Sequence, residues 1–268
     1  MCTFATMQQA VLSLKDLCTG YKRRKGVVCI TRNLTADLMA GQLVCLIGKN
    51  GAGKSTLLRT LAGFQPPLSG HIEWLGREMV LYTKAELSRL VGVVLTERCP
   101  SDRLTVRETV EMGRMPYTGF WGALGVSDRR IVEQALADIG IERLADRRMG
   151  SLSDGERQKV MIAKVLAQET PVIFLDEPIA FLDFPSKVET LRLLGKLAHH
   201  TGKTIFLSIH DLELAMQTAD TLWVMDDACR VTIGTPRSLA QEGAFNQFFT
   251  GEGVRFDAAS LHYSLEWD

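Results

Sequence analysis

The chain has 268 residues, which at about 150 residues per domain predicts one large domain or two modest ones. Hydrophobic residues make up 46% and charged residues 23%, the proportions of a globular chain with a full core. Lysine plus arginine total 31 and aspartate plus glutamate also total 31, a balance that argues against sequence-independent nucleic-acid binding, which needs a strong positive field. The six cysteines (Cys2, Cys18, Cys29, Cys45, Cys99 and Cys229) have no CxxC or zinc-like spacing, so they read as reduced thiols packed as small apolar residues. No apolar run approaches 18 residues, and Met1 to Ala10 lacks a charged start followed by an apolar block. These features predict a cytosolic chain that does not itself cross a bilayer.

Strands come first. Val11 to Leu14 and Leu34 to Leu38 roughly alternate, and Ala40-Gly41 turns into Leu43 to Ile47, a continuously apolar run suited to a strand buried on both faces. Gly48 ends it. From Lys54 a helical stripe of Leu57, Leu58, Leu61 and Ala62 runs to a capping Gly63. Pro66-Pro67 forces a loop, and His71 to Leu75 reads as another strand. The middle is mostly helical. Thr105 to Glu108 and Ser153 to Glu156 have capping-box spacing, and Ser127-Asp128 starts a helix with the stripe Ile131, Val132, Ala135, Leu136 and Ile139 that stops at Gly140.

Buried strands then alternate with helices. Val172 to Leu175 precedes a Val188, Leu191, Leu194, Ala198 stripe, and Ile205 to Ile209 precedes a helix carrying Leu212, Ala215, Met216 and Ala219. Leu222 to Met225 and Arg230 to Ile233 close the series. The alternation predicts an α/β fold with a mainly parallel sheet, an antiparallel part near the N-terminus and an inserted helical subdomain. We expect a single unit over 1–268, with its core in 11–96 and 169–240, the helical insertion at 97–168 and a tail at 241–268. Aromatic but aperiodic, that tail reads as an appended strand or packing segment.

Gly48-Lys49-Asn50-Gly51-Ala52-Gly53-Lys54-Ser55 fits GxxxxGK[ST] and lies between a buried strand and an amphipathic helix, the setting a phosphate-binding loop needs. Its glycines let successive backbone N–H groups point inward, and the helix N-terminus adds its dipole. Lys54 reaches terminal phosphates, and the Ser55 hydroxyl is suited to Mg²⁺. Val172 to Leu175 ends in Asp176-Glu177. Alone this is a solvated strand end; beside a phosphate loop, Asp176 holds Mg²⁺ and Glu177 polarises an attacking water.

Leu152-Ser153-Asp154-Gly155-Glu156-Arg157-Gln158 precedes the carboxylate strand, and His210 follows the next one. With these motifs the chain resembles the ATP-binding subunit of an ABC transporter, a P-loop NTPase, from Val11 to about Leu239. The resemblance makes Gly48 to Ser55 the Walker A loop, Leu152 to Gln158 the signature and Val172 to Glu177 Walker B. Phe181-Leu182-Asp183 is then the D-loop and His210 the switch histidine. It implies ATP and Mg²⁺ as ligands, with ATP held by Tyr21 against adenine and by Gly48, Lys49, Asn50, Gly51, Ala52, Gly53, Lys54, Ser55 and Thr56. Two copies would close head to tail on ATP, the Ser153, Asp154 and Gly155 segment of one meeting the γ-phosphate held by the other. Glu177 and His210 become catalytic, and Asp183 signals between sites. His71, His199, His200 and His262 match no motif.

Two departures stand out. The family's Mg²⁺-ligating glutamine falls here on Thr96, whose reach is shorter, with Glu97 as a substitute. Asp154 stands where glycine is commoner and would repel phosphate unless turned toward Arg157 or solvent. Gly113-Arg114-Met115-Pro116-Tyr117, the aspartate-bearing signature and Ala180 to Asp183 resemble the iron-chelate, haem and cobalamin importer group. That resemblance implies a membrane permease partner, an indirect substrate-binding protein and a peripheral place on the cytoplasmic face of the inner membrane. Met112, Met115 and Phe120-Trp121 are candidates for a permease groove, with core packing the alternative. The competing functional reading is an ABC ATPase clamp in DNA or ribosome maintenance, which balanced charge and the short interval between Lys54 and Ser153 disfavour; no nucleic-acid partner is expected.

Overall fold

The computed structural model describes residues 9–23, 26–95, 102–119, 122–248 and 254–265. Strands β1 (Ala10–Arg23) and β2 (Gly26–Met39) form a long antiparallel pair, and β1 pairs on its other side with β4 (Ser69–Trp74), which pairs with β5 (Arg77–Glu78). The second sheet has the order β10-β9-β3-β8-β7-β6. Its members are β3 (Leu43–Ile47), β6 (Val91–Val94), β7 (Val172–Asp176), β8 (Thr204–Ser208), β9 (Thr221–Met225) and β10 (Val231–Gly234). All pairings in it are parallel except β9 with β10.

The period-2 alternation of a strand, with a core on each face, explains why β3, β7 and β8 are buried at every position. Leu43, Cys45 and Ile47 of β3 enter one core, while Val44 and Leu46 enter the other. On the first face lie α6 (Phe184–Thr201), α7 (Leu212–Thr218) and the helices of the middle segment. On the second lie α1 (Lys54–Leu61) and the antiparallel sheet, joined by tilted and edge contacts from Trp74 through Phe174 and Phe206 to Trp223. Each fully buried side chain of this kind contributes about 1.5–3 kcal/mol of transfer free energy.

Helix α1 ends as its glycine predicts. Gly63 adopts φ 76°, its N–H reaches Thr60 O and the N–H of Phe64 reaches Arg59 O, a Schellman closure. The middle segment holds α3 (Val106–Glu111), α4 (Val126–Ile139) and α5 (Asp154–Ala167), and the capping boxes at Thr105 and Ser153 are both formed. Helix α4 starts earlier than the sequence indicated. Its N-cap is Gly125, whose N–H is accepted by the Asp128 carboxylate at 2.9 Å, so Asp128 stands at the third helical position and does not open the helix. The sequence reading also passed over α2 (Lys84–Leu90), capped by Thr83 with Glu86. Only Leu87 and Leu90 of α2 pack against the core, and both are half-buried, too short a stripe to read in the sequence.

The Gly113 to Tyr117 stretch forms a 3₁₀ turn whose arginine points inward. Arg114, 4% exposed, donates to Asp128, to Glu169 and to the Ala167 carbonyl, and its guanidinium lies 4.2 Å from the centroid of the Tyr117 ring. A Cβ at Gly113 would stand 2.1 Å from Lys164 O, so this turn packs directly on the backbone of α5. After α8 (Pro236–Gln241) the tail folds into a hairpin of β11 (Val254–Asp257) and β12 (His262–Leu265). Phe245 is fully buried edge-on against Phe256, which ties the hairpin to the larger core.

Candidate active site

Residues from five separate stretches of sequence converge at the end of β3. Tyr21, Ile30, Asn50, Gly51, Gly53, Lys54, Ser55, Thr56, Glu177 and His210 line a cleft of about 600 Å³. Gly48, Lys49 and Ala52 belong to the same loop, and its curl is closed by Ala52 N–H donating to Lys49 O. Gly53 needs its missing side chain twice over. It adopts φ 99°, and a Cβ there would lie 2.2 Å from Ile30 Cγ2. Ile30 is a cleft wall that the sequence did not reveal, because its contact with Gly53 joins strand β2 to the loop that opens α1. Helix α1 has no acidic residue in its first turn, so its N-terminus presents an unopposed positive end to an anion.

Lys54 is 4% exposed and its ammonium has three donors. These reach Gly48 O at 2.9 Å, Lys49 O at 3.3 Å and His210 Nδ1 at 3.2 Å. An ammonium only donates, so Nδ1 accepts and the ring carries its proton on Nε2, which donates to the Glu177 carboxylate. A continuous chain of hydrogen bonds therefore runs from lysine through histidine to glutamate. Burial pulls the Lys54 ammonium below its ordinary pKa, opposed by the charges of Glu177 and Asp176.

Asp176 and Glu177 are adjacent in sequence but differ in setting. Asp176 is 5% exposed and accepts from the Ser208 hydroxyl at 2.7 Å. Glu177 has left the strand, with φ 52°, a left-handed backbone rarely adopted outside glycine, and its N–H donates to the same Ser208 oxygen at 2.9 Å. Ser208 also went unread in the sequence; the signal was one hydroxyl at the end of an apolar strand, two residues before His210. Ser55 and Asp176 are hard oxygen donors suited to Mg²⁺. Among the described residues no group of three His, Cys, Asp or Glu side chains forms a metal cage. Two such oxygen donors, Ser55 and Asp176, suit an ion that completes its shell with substrate phosphates and water. Thr96 and Glu97 lie outside the described residues.

Ser153, Asp154, Gly155 and Asp183 do not line this cleft. They gather at a second place, where the tips of α5 and α6 meet: a Cβ at Gly155 would lie 3.7 Å from Ser186 Oγ. Ser153 caps α5 by exchanging hydrogen bonds with Glu156, and Asp183 caps α6 by accepting from Ser186 N–H at 3.2 Å. Asp154 is exposed to solvent. Arg157 turns to Met149 O and to Asp102, so the aspartate faces solvent and not that arginine. One chain thus carries a phosphate cleft and, apart from it, an exposed helix tip with a serine cap.

Comparison with known proteins gives the family and the fold. The ABC transporter family model matches residues 31–180. The ferric enterobactin transport ATP-binding protein of Escherichia coli is 35% identical over 87% of this chain and 85% of its own length. A structure described as an inward-facing ABC transporter of the metal-chelate type superimposes with a TM-score of 0.79 at 27% identity, covering 97% of this chain and 98% of that one. A dimeric ATP-binding cassette in a post-hydrolysis state with ADP and phosphate superimposes at 0.73 and 26% identity, over 84% of this chain and 98% of that one.

Proposed function

The chain belongs to the ABC transporter ATP-binding family and is an ABC-type ATPase, and from that premise we propose that it powers import of a metal chelate, siderophore-bound iron, haem or cobalamin, through a separate membrane permease. The observation that carries the catalytic part is the hydrogen-bonded chain Lys54, His210, Glu177 at the mouth of a glycine-lined anion loop. Loop amides hold the triphosphate together with Lys54, which exchanges its loop carbonyls for phosphate oxygens when nucleotide binds, and Tyr21 at the lip stacks on adenine. Glu177 takes the proton of the attacking water, with His210 fixing its carboxylate through Nε2–H. Ser55 and Asp176 hold Mg²⁺, which when bound neutralises charge on the phosphates.

A single chain leaves the outer side of that phosphate open, and the exposed tip of α5 supplies what is missing. Two copies close head to tail, so that Ser153 and the Gly155 amide of one protomer face the nucleotide in the other, with Asp183 between the sites. The dimeric relative with ADP and phosphate supports this arrangement.

Permease docking falls to an apolar groove of about 420 Å³ between α1 and α2, lined by Ala62, Gly63, Phe64, Leu87, Val91 and Val93 with Lys84, Ser88 and Gln168 at its rim. Phe64 is 60% exposed there, on offer to a short permease helix. Met112 and Met115 do not line this groove, and Phe120-Trp121 lie outside the described residues. No helix among the described residues is long and apolar enough to cross a membrane. We therefore place the subunit peripherally on the cytoplasmic face of the inner membrane, in indirect contact with a substrate-binding protein through the permease. The chelate class rests on the enterobactin relative and the metal-chelate type structure.

The test is reconstitution with the permease in vesicles, scoring ATP-dependent uptake of labelled ferric siderophore, haem and cobalamin. Uptake of one of them, abolished by Glu177→Gln and by Phe64→Glu, is the expected result. ATPase activity indifferent to the permease but stimulated by DNA or ribosomes would overturn the import reading.

A further inference from the structure

Ser208 occupies the last position of β8, fully buried, in parallel register with Asp176 across the strand pair. Its hydroxyl has one proton and two lone pairs, and both kinds of bond are used on neighbouring residues: it donates to Asp176 Oδ1 at 2.7 Å and accepts from Glu177 N–H at 2.9 Å. Strand β7 stops at Asp176, and the turn into the left-handed conformation at Glu177 carries that residue's N–H away from the ladder. Without an acceptor this part-buried amide would be left unpaired, and the strained backbone would lose the bond that holds it. One oxygen atom therefore restrains both a carboxylate rotamer and the backbone from which the next carboxylate projects.

We propose that Ser208 is a positioning residue for both acids of the site. It orients Asp176 toward the divalent cation and holds Glu177 in the left-handed conformation that places its carboxylate on His210 Nε2. The proposal deepens the nucleotide reading given above and depends on it. A hydroxyl is the group that this position needs: alanine removes both bonds, valine removes both while filling more space, and threonine keeps both with the same added bulk as valine. Comparing threonine with valine thus separates hydrogen bonding from packing. Hydrogen-bond partners of metal ligands set metal affinity or activity by about 10–100-fold when removed.

The experiment measures the affinity of a fluorescent ATP analogue in Mg²⁺ and in EDTA, with steady-state ATPase kinetics and thermal melts, for the parent chain and for Ser208→Ala, Ser208→Thr and Ser208→Val. In Ser208→Ala and Ser208→Val, we expect the gain in affinity that Mg²⁺ brings to shrink about 10-fold and kcat to fall at saturating Mg²⁺. Affinity in EDTA, which depends on the loop and Lys54, stays at the parent value, and Ser208→Thr recovers both losses. Should Ser208→Ala fail to fold, the threonine and valine pair carries the same comparison. Equal Mg²⁺ dependence and equal kcat in the threonine and valine variants, with only the melting temperature changed, would overturn the proposal and leave Ser208 as core filling. A parent chain that neither binds nor hydrolyses Mg²⁺-ATP would instead remove the nucleotide reading itself.

Discussion

Lys54 shows how one side chain is made ready before any ligand arrives. Its three donors are spent on two loop carbonyls and His210, so the ammonium sits at a fixed point on the floor of the cleft. Lys54→Ala removes the only cation that the loop directs inward along this chain of bonds, and nucleotide binding measured by equilibrium titration is expected to vanish together with turnover. Glu177→Gln is a different kind of change. The amide oxygen still accepts from His210 Nε2, so binding geometry survives, but the proposed general base is gone. Hydrolysis should fall by at least ~10²-fold, with ATP affinity within a small factor of the parent. If turnover persists in that variant, the proton goes elsewhere, and His210→Ala in the same background identifies whether the histidine takes it. The loop and the acidic strand end were legible in the sequence because each motif is local: the glycines and the lysine fall within one short loop, and the two carboxylates are adjacent. Ile30 and Ser208 were not, since each matters through a partner brought to it by the sheet.

Helices α2, α3, α4 and α5 share one device at their starts. Glu86, Glu108, Asp128 and Glu156 each accept from the N–H of their N-cap residue, and that bond is the main reason each carboxyl is held below its ordinary pKa. A carboxylate whose folded pKa is depressed binds its proton less readily than in the unfolded chain. The stability it contributes is therefore complete above the ordinary value and is lost as pH falls through the depressed one. Acidification below about pH 4 should weaken all four helix starts together, seen as a falling urea midpoint and loss of far-ultraviolet helix signal. Replacing Glu108 and Glu156 by glutamine keeps an acceptor that does not titrate, so the double variant's midpoint should fall less between pH 5.5 and pH 3 than the parent's. A parallel fall in both would show that the caps are not the acid-sensitive elements. Arg114 anchors the same segment from inside, and Arg114→Ala should lower stability by on the order of 3 kcal/mol in urea unfolding, since Asp128 then loses a buried cation. The capping grammar makes α3 and α5 readable, while the same grammar at Thr83 is followed by only two half-buried core contacts, Leu87 and Leu90. At α4 the carboxylate was legible but its position in the box was not: Asp128 reaches back to Gly125 and does not begin the helix.

At the scale of the whole molecule, the two halves of the catalytic constellation lie apart on one chain. Glu177 and His210 open onto the cleft, while Ser153 and Gly155 stand at the tip of α5, beside Ser186 and Leu182. Sequence order conveyed both motifs but not their separation, which follows from packing α5 and α6 on the face of the sheet opposite α1. Neither half completes a hydrolytic site alone, because the outer oxygens of a phosphate held by Lys54 would face water. In the head-to-tail closure proposed above, a second copy would supply a helix N-terminus and a serine hydroxyl and exclude that water. That proposal requires a dimer whose stability depends on ATP and disappears with its hydrolysis. Light scattering should find Glu177→Gln monomeric without nucleotide, dimeric with Mg²⁺-ATP and monomeric again with Mg²⁺-ADP. Adding Gly155→Glu places a carboxylate against the γ-phosphate of the opposite protomer, and the ATP-induced dimer should then be lost while ATP binding to each monomer is retained. A Gly155→Glu, Glu177→Gln chain that still dimerises on ATP would mean that the two copies meet through another surface, and the head-to-tail arrangement would have to be abandoned.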